Sequence, residues 1–314
     1  MVAVTTNKRY LLCRALPLCA VLLGCGVRPV RAQETPKPGG KVSAAPDWKT
    51  LRAPYDYDAA KKPTVKTEEK PNPKAYVLHI EFTGPDGDRV TGIYARPARE
   101  GVYPCVLLLH GWTSRKEDMA AWIGPDIVAA GMSFLALDAP RHGERARPDK
   151  ALNFATMWPD ITVQGVRDYR MAMLWLADRK EVDARHFGVF GYSMGSMMGS
   201  VLSGIDNRVQ AAALCVGGDL FIHHIAELPA DKRAAAYTLS PSLFIDHIAP
   251  RPVLMLNGRQ DHVVSAEASK TLYDAAKEPK QQILFESGHL LPKEALITGV
   301  KWLAEKIKPQ RVSR

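Results

Sequence analysis

The sequence is short of cysteine, and the few cysteines it has are unevenly placed. Three of the five, Cys13, Cys19 and Cys25, fall within the first 25 residues, which leaves Cys105 and Cys215 for the rest of the chain. Both of these lie inside apolar runs, "PCVLLLH" and "AAALCVGG". Two cysteines in such runs exclude a small scaffold held together by many disulfides, and they predict buried free thiols.

Basic clusters, long apolar runs and internal repeats are also missing beyond the N-terminus. Five basic residues and no acid occupy the first 32 positions, and without those five the formal charge of +9 falls to +4. The remaining charge is spread along the chain with no stripe of Lys and Arg, so no nucleic-acid partner is expected. Beyond residue 32 no apolar run is long enough to span a bilayer, so no stable membrane span is expected.

The first 32 residues have the features of an export signal. Lys8, Arg9 and Arg14 precede the short apolar stretch "ALPLCAVLLGCGV", and "VRA" at 30–32 has the small-residue pattern of a cleavage site. "LLGC" at 22–25 alternatively resembles a bacterial lipobox, in which case Cys25 carries lipid and becomes the first mature residue. The sequence therefore predicts a periplasmic or extracellular protein, either free or anchored by lipid at Cys25.

Residues 33–52 are rich in Pro, Lys, Gly and Ala, and we predict a flexible linker there. We place the folded domain at 53–314. This length is enough to bury a substantial core. The sequence leaves the oligomeric state open.

Strand and helix patterns alternate along the folded domain. Eight short runs predict strands: "AYVLHIEFTG", "DRVTGIYARP", "CVLLLH", "MSFLALD", "HFGVFG", "VQAAALCVGG", "RPVLMLNG" and "QQILFES". The first two are joined by the hairpin signal "PDGD", and helical stretches such as "KEDMAAWIGPDIVAAG" and "ITVQGVRDYRMAMLWLADR" separate later ones. We therefore predict an α/β fold with a mostly parallel sheet of about eight strands, an antiparallel start and helices on both faces.

The loops that follow the predicted strands contain the residues of chemical interest, because ligands of such sheets bind beyond the carboxyl ends of the strands. "GYSMG" stands between an apolar strand and a helix of small residues. Its spacing, Gly191-x-Ser193-x-Gly195, is that of a nucleophile elbow, a sharp turn that exposes a serine hydroxyl. A side chain at either glycine would collide with the neighbouring strand or helix, so the pattern makes Ser193 the candidate nucleophile.

A serine hydroxyl needs a base, and the base needs an orienting acid. Asp261 in "GRQDHVV" and His289 in "SGHLLP" follow the last two strands in the order nucleophile, acid, histidine that this turn predicts. Asp219 in "VGGDLF" follows the strand before them and is an alternative acid.

Two backbone N–H groups are the candidates for stabilising a tetrahedral oxyanion. One belongs to Met194, directly after the serine, and the other to Trp112 in "HGW", which follows the third predicted strand. His110 in the same loop is interpreted as a structural residue more readily than as a catalytic one. The side chains of Trp112, Tyr192 and Trp158 are candidates for contacting substrate.

The loop "DAPRHGER" is open to two interpretations. Arg141, His142 and Glu144 either brace the loop beneath the site or contact substrate directly. Two segments, residues 145–160 and 219–240, are candidates for covering the pocket. Their aromatic and Met side chains either line an apolar acyl or alcohol site or simply pack.

Taken together, "HGWTSRKED", "DAPRHGER", "FGYSMGSMMG", "PRPVLMLNGRQDHVV" and "SGHLLP" resemble the α/β-hydrolase superfamily. They look closest to its dienelactone-hydrolase and acetyl-xylan-esterase-like branch, over about residues 55–307. The resemblance implies an eight-stranded α/β-hydrolase sheet, the catalytic residues Ser193, Asp261 and His289, and neither cofactor nor metal. It departs from the dienelactone hydrolases proper, whose nucleophile is a cysteine, and Ser193 points instead to ordinary carboxylic esters.

The sequence thus predicts an exported serine hydrolase that cleaves a small-molecule or saccharide ester through an acyl-enzyme. A serine peptidase of the same fold and a non-catalytic binding protein of this fold remain alternatives. The fold does not determine the substrate.

Overall fold

A computed structural model describes residues 45–147 and 152–307, all within one compact unit. The predicted export signal, Cys25 and positions 33–44 of the predicted linker lie outside the described residues. Within that part of the chain, no helix combines the length and the apolar character needed to cross a membrane.

Nine strands form one sheet in the order β1-β2-β3-β5-β4-β6-β7-β8-β9. The pairs β1-β2, β2-β3 and β3-β5 are antiparallel, and every pair from β5-β4 to β8-β9 is parallel. The strands are β1 (Lys66–Lys70), β2 (Ala75–Thr83), β3 (Arg89–Pro97), β4 (Tyr103–Leu109), β5 (Ser133–Leu137), β6 (Val182–Tyr192), β7 (Val209–Cys215), β8 (Val253–Gly258) and β9 (Lys280–Phe285). The mostly parallel sheet with an antiparallel start is confirmed.

The α-helices lie before, between and after these strands. They are α1 (Trp48–Arg52), α2 (Lys116–Trp122), α3 (Gly124–Ala129), α4 (Phe154–Ala177), α5 (Met194–Ile205), α6 (Ala230–Tyr237), α7 (Ser242–Ile245), α8 (Ala266–Ala275) and α9 (Lys293–Ile307). Short 3₁₀ turns occur at Ala53–Tyr55, Gly143–Arg145, Ile222–Glu227 and Asp246–Ile248.

The central strands separate two apolar cores because successive side chains of a strand point to opposite faces. On β4, Leu107 and Leu109 join the core shared with α4 and α5, whereas Val106 and Leu108 join the core shared with α2, α3 and α9. Strands covered on both faces read as continuous apolar runs, which is why the sequence predicted them. The prediction of helices on both faces is confirmed.

The sheet has one strand more than the sequence predicted. β1, "KTEEK", pairs only with β2 at the edge of the sheet, and four of its five residues are exposed. A charged edge strand buries no alternating apolar face, so it leaves no periodic signal in the sequence.

Two helix predictions also differ from the structure. The stretch predicted as one helix at 116–131 is split into α2 and α3 at Ile123, where Gly124 and Pro125 follow. Proline cannot continue a helix from the preceding turn, but it is well suited to the first turn of a new one. α4 begins at Phe154, seven residues before the predicted start, because Asn153 caps it by accepting a hydrogen bond from Thr156 N at 3.2 Å.

The last five residues of the predicted linker are helical rather than flexible. α1 buries Leu51, and the ring of Trp48 stacks on His247 at a centroid distance of 3.6 Å. Asp47 caps the helix by accepting a hydrogen bond from Thr50 N at 2.8 Å. Packing against Phe244 and His247, which lie 196 and 199 positions further along the chain than Trp48, stabilises a segment whose composition alone predicted a linker.

Candidate active site

Ser193 lies in the turn between β6 and α5, at the carboxyl edge of the sheet. Its backbone has φ 54° and ψ −115°, and its N–H donates to Cys215 O at 2.8 Å. A Cβ on Gly191 would lie 2.4 Å from Gly195 O, and a Cβ on Gly195 would lie 2.1 Å from Leu109 O. Both approaches involve backbone atoms, so only glycine fits at these two positions.

The structure brings Ser193, His289 and Asp261 together in the predicted order. His289 Nε2 lies 2.8 Å from Ser193 Oγ, and His289 Nδ1 lies 2.8 Å from Asp261 Oδ2. A carboxylate can only accept, so Nδ1 carries the proton donated to Asp261 and Nε2 can accept the serine hydroxyl proton. His289 follows β9 and its side chain is 25% exposed, so the imidazole is accessible from solvent.

Asp261 is fixed by the turn that contains it. Its Oδ1 accepts from Val263 N at 2.8 Å and from Val264 N at 2.9 Å, and its side chain is buried. These bonds leave Oδ2 free for His289.

The loop "HGW" after β4 lies directly beside Ser193. A Cβ on Gly111 would be 3.5 Å from Ser193 Cβ, in ordinary contact, and Thr113 has φ 64°. Among the described residues no protein group accepts from Trp112 N or Met194 N. Both predicted oxyanion donors are therefore unused at the nucleophile.

His110 holds this loop as a neutral imidazole. Its Nδ1 donates to Gly111 O at 2.8 Å, and its Nε2 accepts from Ala139 N at 2.9 Å. Burial lowers the pKa of His110 to about 4. A second ring proton would sit on Nε2 and face the N–H of Ala139, so that two donors would point at each other. The geometry therefore supports the structural interpretation of His110.

The loop after β5 is braced by an ion-pair network whose central lysine the sequence did not reveal. Lys116 is buried, and its ammonium lies 2.7 Å from carboxylate oxygens of Asp138, Glu117 and Glu144. Burial alone would lower the pKa of Lys116, but these hydrogen bonds raise it above its ordinary value. In "RKED" this lysine resembles any exposed residue of a first helical turn, so the sequence contains no signal for it.

Asp138 is the centre of that network. Its buried carboxylate accepts from Thr91 Oγ1 at 2.8 Å, Lys116 N at 3.0 Å and Glu144 N at 3.1 Å, besides the ammonium. Burial favours a raised pKa for Asp138, but the hydrogen bonds from Lys116 lower it. For Glu144, these contacts support the bracing interpretation.

Arg141 and His142 occupy the same loop. Arg141 has φ 65° and pairs with Asp160 at 3.7 Å. It also lines a cavity of about 300 Å³. The other residues that line this cavity are Asp88, Arg89, Pro140, Glu144, Arg145, Arg147, Asp160 and Gln164. His142 Nδ1 donates to Pro140 O at 2.9 Å, and its ring lies 5.2 Å from the rings of both His110 and Trp112. His142 thus supports the oxyanion loop from behind.

Aromatic rings from both predicted covering segments meet the side chain of Trp112. Phe154 lies edge-on to Trp112 at 5.2 Å, and it stacks on Trp158 at 5.1 Å and on Phe221 at 6.0 Å. Phe154 and Phe221 are half-buried, whereas Trp158 is 1% exposed. Trp158 is therefore closed off from solvent, and Trp112, Phe154 and Phe221 are the rings of this cluster that stay partly exposed.

The hydroxyl of Tyr192 is used within the protein. It donates to His289 O at 2.7 Å and accepts from Leu291 N at 3.1 Å. Of the three side chains predicted to contact substrate, Tyr192 thus has its polar atom already engaged.

Asp219, the alternative acid, is also fully engaged. Its Oδ1 accepts from Phe221 N at 2.8 Å and Ile222 N at 3.0 Å, and its Oδ2 accepts from Ser240 Oγ and from the Oγ and N–H of Ser242. It therefore ties together the two ends of the segment that was predicted to cover the pocket. The histidine is bonded to Asp261 instead.

Metal ligands do not gather in the described parts of the chain. Within residues 45–147 and 152–307, no three His, Cys, Asp or Glu side chains are placed to hold a metal ion. Cys105 and Cys215 are buried free thiols.

Comparison with known proteins agrees with this architecture. Esterase YjfP of Escherichia coli (strain K12) is 24% identical over 222 residues, which cover 64% of this chain and 88% of that esterase. Among solved structures, a cold-adapted esterase from an Arctic intertidal metagenomic library matches with a TM-score of 0.64 and 24% identity, covering 78% of this chain and 100% of that one. Acetyl xylan esterase from Paenibacillus sp. R4 matches with a TM-score of 0.67 and 17% identity, over 82% and 93% of the two chains.

These structural likenesses establish the α/β-hydrolase fold. The model of the Dienelactone hydrolase family matches residues 90–287, which is more than half of the chain and extends from β3 to the loop before His289. The chain therefore belongs to the dienelactone hydrolase family, and it has the α/β-hydrolase fold.

Proposed function

We propose that the protein is a serine esterase whose nucleophile is Ser193. The observation that carries this proposal is the continuous hydrogen-bond path from Ser193 Oγ through the imidazole of His289 to Asp261. The path ends at a serine held in a strained turn, beside two N–H groups for which the described residues provide no acceptor. These are the parts that acyl transfer requires.

In the first half-reaction Ser193 Oγ attacks the ester carbonyl carbon while its proton passes to His289 Nε2. The carbonyl oxygen becomes an oxyanion that accepts from Trp112 N–H and Met194 N–H. The C–O bond to the alcohol then breaks, and His289 returns the proton to the departing alkoxide. Ser193 is left as an acyl ester.

In the second half-reaction a water molecule gives its proton to His289 Nε2 and attacks the acyl carbon. The tetrahedral intermediate collapses, Ser193 Oγ leaves and takes the proton back, and the carboxylic acid is released. Asp261 stabilises the imidazolium in both halves without being protonated itself. The cycle needs no group beyond the chain, the ester and water.

For the substrate, we propose a small-molecule or saccharide ester with a partly apolar group beside the carbonyl. Phe154, Phe221 and the ring of Trp112 support an apolar wall next to the oxyanion loop. The relatives named above as esterases, one of them an acetyl xylan esterase, support the ester class.

Replacement of Ser193 tests the proposal. We expect Ser193→Ala to lower kcat for short-chain nitrophenyl esters by about 10⁴-fold or more, because the three residues act as a unit. The thermal unfolding midpoint serves as the control for folding. Hydrolysis by Ser193→Ala at the wild-type rate would falsify the assignment.

A fluorophosphonate probe distinguishes this function from the two alternatives. We expect the probe to modify the wild type at Ser193 and to leave Ser193→Ala unlabelled, whereas a non-catalytic binding protein would stay unlabelled throughout. A panel of acetylated sugars, short-chain aryl esters and peptides then separates an esterase from a peptidase.

We also propose that the protein is exported, which rests on the charged and apolar pattern of the first 32 residues. The N-terminal sequence of the mature protein from an envelope fraction tests this. A mature start at residue 33 supports a free protein, and a blocked start at Cys25 with bound lipid supports an anchored one. A full-length chain recovered from the cytoplasm would contradict export.

A further inference from the structure

The loop that contains the proposed base is tied to the strand that contains the proposed nucleophile. We propose that Tyr192 is a positioning residue, whose hydroxyl fixes the backbone on both sides of Leu290 and so sets the distance between His289 and Ser193. The inference rests on the proposed esterase function and assigns Tyr192 a role within it.

One oxygen atom of Tyr192 makes two hydrogen bonds to the backbone of this loop. Tyr192 Oη donates to His289 O at 2.7 Å and accepts from Leu291 N at 3.1 Å. Burial raises the pKa of Tyr192, so the hydroxyl keeps its proton and can make both bonds across the ordinary pH range. The oxygen therefore holds two backbone groups that flank a single residue.

Backbone hydrogen bonds hold the same loop on the N-terminal side of His289. Upstream, Gln260 N donates to Ser287 O at 2.9 Å and Arg259 N donates to Phe285 O at 2.9 Å, which ties the end of β9 to the loop after β8. From residue 288 to residue 291, the described residues offer the backbone no hydrogen-bond partner besides Tyr192 Oη. The base thus lies in a stretch whose backbone geometry depends on one side chain.

The side chain of Tyr192 is itself held in place by packing. It is the last residue of β6 and is 7% exposed, and Trp122 of α2 packs on its ring at 4.9 Å. Leu291 is buried in the same core, whereas Leu290 between the two bonded groups is 75% exposed. The loop is therefore anchored inward at Tyr192 and open to solvent at its tip.

The connection between the two reacting groups is short. Tyr192 precedes Ser193 directly, and Ser193 is itself fixed by the bond from its N–H to Cys215 O. The ring of Tyr192 thus connects the strand that leads into Ser193 to the backbone of the loop that contains His289. Because proton transfer needs the 2.8 Å separation of Ser193 Oγ and His289 Nε2, a small displacement of the loop lowers the rate.

Removal of the hydroxyl tests the role. We expect Tyr192→Phe to lower kcat for a short-chain nitrophenyl ester by about 10- to 100-fold, because a misplaced base slows the chemical step. KM should stay within about twofold of the wild type, because no substrate contact is removed. The rate of fluorophosphonate labelling should fall by a similar factor, since it needs the same proton transfer.

The matched control is Tyr55→Phe. Tyr55 is also buried, its hydroxyl donates to Thr238 O at 2.7 Å, and it belongs to the core on the other face of the sheet from Tyr192. Both variants lose one buried hydroxyl, so both should lose stability in thermal unfolding. Only Tyr192→Phe should lose kcat.

Ser193→Ala measured in parallel separates the two proposals. Wild-type activity in Ser193→Ala would overturn the esterase assignment, whatever Tyr192→Phe does. An inactive Ser193→Ala together with a wild-type kcat in Tyr192→Phe would overturn the positioning role alone. A raised KM with unchanged kcat would also overturn it, because Tyr192 would then be a substrate contact.

A second variant covers the case in which Tyr192→Phe does not fold. Trp122→Leu removes the ring that packs on Tyr192 and keeps the hydroxyl. We expect a smaller drop in kcat, of severalfold, at unchanged KM. A wild-type kcat in that variant would count against the positioning role.

Discussion

Ser193 has a backbone conformation that a side-chain-bearing residue adopts only at a cost. At φ 54° and ψ −115° the strain is of the order of 1–3 kcal/mol, and the surrounding contacts must compensate for it. Gly191 and Gly195 allow those contacts, because the helix and the neighbouring strand approach their Cα atoms closely. The strain and the two glycines therefore belong to one feature, the sharp exposed turn.

Gly195→Ala tests this turn directly. The new methyl would lie 2.1 Å from Leu109 O, a backbone atom of β4 that cannot rotate away, so we expect loss of activity and a lower melting temperature. Gly165→Ala is the control, because its methyl would approach closely only the flexible tip of Met198, at 2.4 Å, and would lie 3.4 Å from Pro140 Cδ. Equal activity and melting temperature in the two variants would contradict the argument.

His110 should make the stability of the protein depend on pH. Its pKa is about 4 in the folded protein and 6.5 when unfolded, so the unfolded chain binds more protons between these values. The stabilisation is fully present above pH 6.5 and is lost as the pH falls through about 4. The difference in pKa corresponds to about 3 kcal/mol. Burial lowers the pKa of His142 as well, which adds in the same direction.

Urea unfolding at pH 6.5 and at pH 4 measures this term. Between pH 6.5 and pH 4, the unfolding free energy of the wild type should fall by about 3 kcal/mol more than that of His110→Gln. In the control His262→Gln, which replaces an exposed histidine, it should fall as far as in the wild type. An unchanged difference in His110→Gln would show that the histidine titrates alike in both states.

At the scale of elements, the buried ammonium of Lys116 joins α2 to the loop that follows β5. A buried charge is tolerated when carboxylates surround it, and removal of one partner leaves the others buried without compensation. Glu144, 47% exposed, extends the network to Arg89 on β3. The elements behind the oxyanion loop are thereby fixed to one another.

We expect Lys116→Met to destabilise the protein by about 3–5 kcal/mol, because it leaves the carboxylate of Asp138 buried without its ammonium. Lys62→Met is the matched control, since the Lys62–Asp178 pair is more than half exposed at both ends and should contribute less than about 1 kcal/mol. Urea denaturation midpoints compare the two. Similar midpoints would contradict a structural role for the buried network.

For the whole molecule, five loops from distant parts of the chain meet at the carboxyl edge of one sheet. The loops after β4, β6, β8 and β9 contain the proposed oxyanion donors, nucleophile, acid and base, and the loop after β5 lies next to the loop after β4. Parallel strands end at the same edge, so the topology alone gathers residues up to 177 positions apart, from Trp112 to His289. The segments that contain Phe154 and Phe221 complete the wall.

The boundary of the folded domain is a prediction at this scale. We expect a chain that begins at residue 45 to have the full activity and melting temperature of the mature protein. A chain that begins at residue 53 lacks α1 and should lose about 2 kcal/mol or more, from the burial of Leu51 and the contacts of Trp48. Calorimetry of the two chains measures the loss of stability. Equal melting temperatures would show that residues 45–52 do not contribute to the stability of the folded domain.

Much of the fold and of the candidate site could be predicted because the relevant signals are local. Continuous apolar runs identified eight of the nine strands, and the glycines around Ser193 identified a turn whose sterics involve adjacent residues. The order of Ser193, Asp261 and His289, each just after a strand, followed from the topology of a parallel sheet. The edge strand β1 was missed because an exposed charged segment has no apolar period.

The sequence by itself determined the type of fold, the turn at Ser193 and the candidates for its partners, since backbone sterics and burial periodicity act over a few residues. Only the tertiary structure decided between Asp261 and Asp219, placed Trp158 behind Phe154, buried Lys116 among carboxylates and linked Tyr192 to the loop of His289. These outcomes depend on contacts between residues far apart in the chain, such as the 97 positions between Tyr192 and His289. A side chain such as that of Lys116 or Tyr192 is compatible with many surroundings, and packing selects one of them.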